Sequence, residues 1–239
     1  MLQSLKIKLF ADGADIEGIR EMSANPMIRG FTTNPTLMRK AGVSDYESFA
    51  REVLEHVSDL PVSFEVFADA WEPMRRQAER IASWGPNVNV KIPVTNTTGE
   101  SSAELVRQLS AEGITVNVTA VFTLDQVAEI TEVLSPDTPA IISVFAGRIA
   151  DTGVDPMPLM REALSIMSAR PRAELLWASP RELLNVFQAD ETGCHIITAT
   201  NDLLKKLALV GKDLSEYSRE TVQMFHRDAS DAAYDIAVD

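Results

Sequence analysis

The sequence is poor in the residues that mark several kinds of specialised chemistry. It holds a single cysteine, Cys194, so no intrachain disulfide can form, which fits a reducing compartment. Cys194 reads as a small buried apolar residue. Its three histidines, His56, His195 and His226, are scattered, and no HxxxH or CxxC spacing occurs, so a metal site is not expected. No GxGxxG or GxxxxGK[ST] follows the first strand-like run, which removes the main support for a dinucleotide or P-loop nucleotide site. No apolar run is long enough to cross a membrane, and MLQSLKIKLFADG at the start alternates rather than forming a signal-peptide core. A cytoplasmic location is therefore the expectation. Basic residues are outnumbered, 22 Lys+Arg against 35 Asp+Glu, and the net charge of −13 repels nucleic acid and anionic lipid. Neither is an expected partner, and an anionic small molecule would need a local cluster of basic side chains.

What is present suits a packed globular chain: 45% hydrophobic and 24% charged residues, with no linker or composition break. Short β-branched runs alternate with amphipathic stretches throughout. Strands are expected at 6–13, 30–35, 62–68, 88–95, 115–122, 140–147, 174–179 and 195–200. Helical patterns lie between them, at 44–58, 71–85, 99–113 and 123–135 among others, several opened by Ser, Thr or Asp and closed by Gly. Met157, Met160 and Met167 fall on one such pattern and read as core filler.

Eight units of roughly 25 residues match an α/β fold of the (β/α)8 TIM barrel type better than an open doubly wound sheet. The expectation is one domain over 1–239, with the barrel at about 5–211 and an extra C-terminal helix at about 213–235. Leu214, Tyr217, Val222, Phe225 and Tyr234 are its candidate apolar contacts, to its own barrel or to a neighbouring subunit.

Active sites of such barrels lie at the C-terminal ends of the strands. Strand parity then sorts the side chains. In VNVKIPVT the apolar face Val88, Val90, Ile92 and Val94 suits the helical layer, which turns Asn89 and Lys91 inward. The same argument turns Glu65, Asn117 and Thr119 inward, so an interior usually filled by Val, Ile and Leu is expected to hold Lys, Glu, Asn and Thr. A strand lysine taken alone more often snorkels to water from a strand end. An interior amine is different, because desolvation favours its uncharged, nucleophilic form. It can attack a carbonyl, and Glu65 and Thr119 could relay the protons that expel water.

Asp12 closes the first strand and could cap a helix, although Asp15 is the better cap candidate. Asn34 precedes Pro35 and reads equally as part of a turn. Ser143 and Arg148, with Ser179 and Arg181, flank two adjacent strand ends. They form either a clamp for an oxyanion or, for each arginine alone, a solvated side chain.

The motifs FADGAD, GFTTNPT, VKIPVT, TVNVTAVF, SVFAGRI and ASPR, ordered across residues 6–210, resemble those of the transaldolase family, in the compact branch that includes fructose-6-phosphate aldolase. The resemblance implies a (β/α)8 barrel with a Schiff-base lysine at Lys91, a retro-aldol acid/base at Asp12, and a water-activating carboxylate at Glu65 with Thr119 as its hydroxyl partner. Substrate contacts are implied at Thr33, Asn34, Asn117, Ser143 and Phe145, and phosphate contacts at Arg148, Ser179 and Arg181. The implied reaction moves a dihydroxyacetone unit from a ketose phosphate, such as fructose 6-phosphate or sedoheptulose 7-phosphate, to an aldose phosphate, as in the pentose phosphate pathway. No external cofactor is required, sugar phosphates are the partners, and a homo-oligomer is expected. Glu65, Phe145 and Arg181 stand where the aldolase branch has glutamine, tyrosine and lysine, which favours transfer. Val144 replaces a frequent proline, and Pro180 separates two anion-binding candidates. Three alternatives follow: an aldolase using free dihydroxyacetone, a transferase for another anionic sugar such as a sulfonated one, and a barrel that binds anionic sugars without catalysis. A metal-dependent lyase lacks a ligand set.

Overall fold

A computed structural model describes residues 2–238, so of the range 1–239 Met1 and Asp239 lie outside the described residues. Eight parallel strands close into a barrel in sequence order, with the first pairing to the last. The first half runs β1 (Lys8–Asp12), α1 (Ile16–Ser23), β2 (Ile28–Thr32), α2 (Pro35–Lys40), α3 (Tyr46–His56), β3 (Val62–Glu65), α4 (Trp71–Ala82), β4 (Val88–Pro93) and α5 (Ala103–Ala111). The second runs β5 (Val116–Val121), α6 (Leu124–Val133), β6 (Ala140–Val144), α7 (Ala146–Asp151), α8 (Pro156–Met167), β7 (Ala173–Trp177), α9 (Leu184–Thr192), β8 (Ile196–Thr200) and α10 (Asn201–Lys205). A 3-10 turn and α11 (Leu214–Asp231) follow. Eight strands stand where the sequence pattern put them, most ending earlier than expected.

The early endings have local causes. In GFTTNP the strand stops at Thr32, because Pro35 has no N–H to donate and Asn34 leaves the sheet to cap α2, accepting from Leu37 N at 2.9 Å. Asp15 caps α1 by accepting from Gly18 N at 2.8 Å, which leaves Asp12 free as expected. Such caps contribute about 1 kcal/mol each.

The main core lies between sheet and helices, where Val88, Val90, Ile92 and Val94 are buried with Met160 and Met167. Cys194 is buried too, and burial pushes its thiol up to about 12, so it serves as a packing residue. The barrel interior holds the expected Lys91, Asn117 and Thr119 and, in addition, a hydrocarbon layer. Phe10, Ile141, Leu176, Ala178 and Ile196 form a separate hydrocarbon cluster, and two residues further along the same faces Asp12, Ser143 and Thr198 join Glu65, Lys91 and Thr119 around a polar cavity. Sequence parity had singled out the polar residues and passed over these apolar ones, which look like any core. Gly30 makes room for this floor, since a Cβ there would lie 2.5 Å from Phe10 Cζ.

The C-terminal helix does not pack on its own barrel. No residue of α11 is buried, Leu214, Tyr217, Val222 and Phe225 are exposed, and Tyr234 lies beyond its end. Among the described residues no helix is long and apolar enough to cross a membrane.

Candidate active site

Lys91 projects into the barrel from β4, 6% exposed. Its Nζ donates to the Thr33 carbonyl at 2.8 Å and lies 3.0 Å from Glu65 Oε2. The register explains the pair, because Glu65 and Lys91 are aligned neighbours on β3 and β4 and parity turns both inward. An ammonium held this way can pass a proton to the carboxylate and become a nucleophile.

Asp12 ends β1 beside Lys91. Its Oδ1 accepts from the Thr32 hydroxyl at 2.8 Å and its Oδ2 from Asn34 Nδ2 at 3.0 Å. Burial raises its carboxyl above the ordinary aspartate value, with Lys91 and these two bonds opposing the shift and Glu65 adding to it. The Thr32 hydroxyl also meets that of Thr198 at 2.6 Å. An acid with a raised carboxyl, fixed by two donors, is suited to trading a proton with a bound sugar.

The far end of the cavity is basic. Arg181 forms a two-point ion pair with Asp151, and Arg148 lies over the Phe145 ring, 5.2 Å from its centroid. Arg181 first, then the field of Arg148, holds the Asp151 carboxyl below its usual value. Both arginines therefore act on one small region. The backbone is strained at this rim: Ser179 has φ +61° and Ala120 has φ +59°, conformations that cost a side-chain-bearing residue energy and cluster at functional sites. Gly147 permits the close passage, because a Cβ there would sit 1.6 Å from the Ser179 carbonyl oxygen.

These groups surround one cavity of about 440 Å3, within the size range of small-molecule sites. Asp12, Asn34, Glu65, Lys91 and Thr119 line one side, and Ser143, Phe145, Arg148, Ser179 and Arg181 the other. Thr33 and Asn117, expected among the substrate contacts, do not line it. Thr33 turns its hydroxyl to the Ser63 carbonyl, while Asn117 donates to Ser63 Oγ at 3.0 Å and accepts from Ser143 Oγ at 2.6 Å. Among the described residues no hydrogen bond joins Thr119 to Glu65, although both line the cavity. Sequence reasoning missed Thr32, Ser63, Thr198 and Asp151. Parity that flagged Glu65 would also have flagged Ser63, whereas nothing local marks Asp151 as the partner of Arg181.

Among the described residues no group of three His, Cys, Asp or Glu is placed to hold a metal ion. A family model described as Transaldolase/Fructose-6-phosphate aldolase matches residues 9–236. The chain belongs to this family. A "Probable transaldolase" of Dehalococcoides mccartyi is 35% identical over 202 residues, covering 84% of this chain and 90% of that one. Another, from Herpetosiphon aurantiacus, is 32% identical and covers 95% of this chain and 98% of its own. The chain is accordingly an enzyme, a transferase of the transaldolase family. The barrel is also similar to that of 2,3-dimethylmalate lyase, with a TM-score of 0.55 and 13% identity over 95% of this chain and 86% of that one, a likeness of fold alone.

Proposed function

We propose that the protein is a class I transaldolase in which Lys91 forms a Schiff base with a ketose phosphate. The observation that carries the reading is the buried Lys91 nitrogen, 3.0 Å from Glu65 and in one cavity with Asp12. Glu65 takes the proton from the ammonium, and the free amine adds to the C2 carbonyl of the sugar. Proton transfer through Glu65, with Thr119 lining the same space, expels the carbonyl oxygen as water. The Asp12 carboxylate then takes the proton of the C4 hydroxyl as the C3–C4 bond breaks. Its electron pair moves into the iminium, leaving an enamine on Lys91 and releasing an aldose phosphate. A second aldose phosphate adds to the enamine, Asp12 returns the proton, and water frees the new ketose.

Arg148 and Arg181, with Ser179, are the groups suited to the phosphate. Transfer is favoured over simple aldol cleavage by Glu65 and by Phe145, whose ring carries no hydroxyl and is enclosed by Phe122 and Arg148. The exposed apolar residues of α11 support a homo-oligomer as the working form.

Borohydride treatment with fructose 6-phosphate, followed by peptide mapping, should label Lys91; an unlabelled Lys91 at saturating sugar refutes the reading. With erythrose 4-phosphate present turnover is expected, and with fructose 6-phosphate alone little. Equal turnover without the acceptor would identify an aldolase.

A further inference from the structure

The pairing between β2 and β3 leaves one main-chain bond unaccounted for. Phe31 N–H donates to Pro61 C=O at 2.8 Å, and Thr33 N–H to Ser63 C=O at 3.1 Å. Continued by the same parallel step, the ladder would direct Glu65 N–H to Thr33 C=O. It does not. The Thr33 carbonyl accepts from Lys91 Nζ, and Glu65 N–H donates instead to the hydroxyl of Tyr46 at 2.7 Å. The same hydroxyl donates to the Glu65 carbonyl at 3.1 Å. Tyr46 thus stands in for the strand that has already turned away, and buried main-chain groups need such a partner.

From this exchange of partners we propose that Tyr46 is a positioning residue for the proton transfers at Lys91: its hydroxyl clamps the main chain of Glu65 and leaves the Thr33 carbonyl to hold the amine. The ring is itself fixed, against Phe67, Trp84 and Phe64 at centroid distances of 4.6, 5.6 and 6.2 Å. Burial pushes the phenol well above its usual value, so it stays a hydroxyl, able to give and to accept. Without it, Glu65 N–H falls back on Thr33 C=O, competes with the amine for that oxygen, and rotates the carboxylate off line.

The inference rests on the Schiff-base reading, and its test separates the two. Tyr46→Phe keeps the ring and removes only the hydroxyl. In the wild-type background it should lower kcat for transfer from fructose 6-phosphate to erythrose 4-phosphate about tenfold, part of the 10²–10⁴ that a positioned acid/base supplies, with KM changed less than about twofold. In a Glu65→Gln background the same substitution should change kcat less than about twofold, because the group it aims has already gone. Trp84→Phe perturbs the same aromatic cluster, shrinking the ring and removing an indole N–H that has no partner while leaving the Tyr46 hydroxyl in place, and should leave kcat within about twofold of wild type. An equal loss from Tyr46→Phe in both backgrounds, or none in either, overturns the role of Tyr46. The initial rate of borohydride trapping at Lys91, measured on each variant, repeats the comparison for the first half-reaction alone. Absence of any adduct in the wild-type protein would instead remove the Schiff-base reading itself.

Discussion

Glu65 and Lys91 occupy paired positions of neighbouring strands, and their charged atoms meet 3.0 Å apart with side chains 18% and 7% exposed. Removing the cation leaves Glu65 and Asp12 as two shielded carboxylates. Lys91→Met should therefore abolish turnover and borohydride labelling, and also cost about 3 kcal/mol of stability at pH 7, as breaking a buried pair does. Thermal melts should show the deficit shrinking on acidification as Asp12, whose carboxyl burial already raises, takes up its proton. A variant as stable as wild type at every pH would contradict the pairing.

Asp12 gives a second test, with a definite sign. Burial raises its carboxyl in the folded state, so the protonated form is the favoured one there. Its contribution to stability is complete below the ordinary aspartate value and is lost as pH rises through the raised value. Asp12→Asn should therefore melt higher than wild type at pH 7, with no advantage at low pH, while losing nearly all turnover. In the wild-type enzyme kcat should fall on acidification with a midpoint above the ordinary aspartate value of 3.8, since the base must be ionised to accept the sugar proton. A limb at or below that value would exclude Asp12.

The Arg181–Asp151 pair predicts a competition. A bound phosphate must share or replace Asp151, so Asp151→Asn should lower KM for phosphorylated sugars and Arg181→Ala should raise it about tenfold, with kcat nearly constant. Both side chains are about half exposed, and added salt should raise the wild-type KM by screening. Initial rates at two ionic strengths check this. A kcat effect with unchanged KM would move Arg181 out of the phosphate site.

Gly147→Ala tests the strained rim. The new methyl would meet the Ser179 carbonyl oxygen, a backbone atom that cannot swing aside. A loss of about 2–3 kcal/mol is expected, typical of overpacking, together with a raised KM as Ser179 and Arg181 shift. Chemical denaturation and initial rates measure the two effects, and a neutral result would show the approach is looser than 1.6 Å implies.

For the C-terminal helix, light scattering is decisive. The full chain should sediment and scatter as an oligomer, and a chain ending at Lys212 as a smaller species with a similar far-UV signature for the barrel. A monomeric full chain would leave the exposed Phe225 and Val222 without the proposed role.

The architecture was legible because period-two alternation and eight regular units survive in the sequence. Lys91, Glu65 and Thr119 stood out as polar residues on faces where hydrocarbon is usual. Asn117 was seen by the same parity, but parity reports a face and not a height, and the side chain proved to hold Ser143 rather than line the cavity. Tyr46 and Asp151 were invisible because each acts on a residue distant in sequence, Glu65 and Arg181 respectively, through contacts that exist only after closure. The family motifs located residues without revealing that Arg181 is already engaged by Asp151.

The hydrocarbon floor of the barrel, built on Phe10, Ile141, Leu176 and Ile196, has an evolutionary corollary. The hydrocarbon and the reactive groups occupy different levels of the same strands, Phe10 two residues before Asp12, Ile141 before Ser143 and Ile196 before Thr198, so changes at the reactive level need not loosen the layer below it. Such a division of labour lets substrate preference drift under mutation while the shell that carries it stays shut.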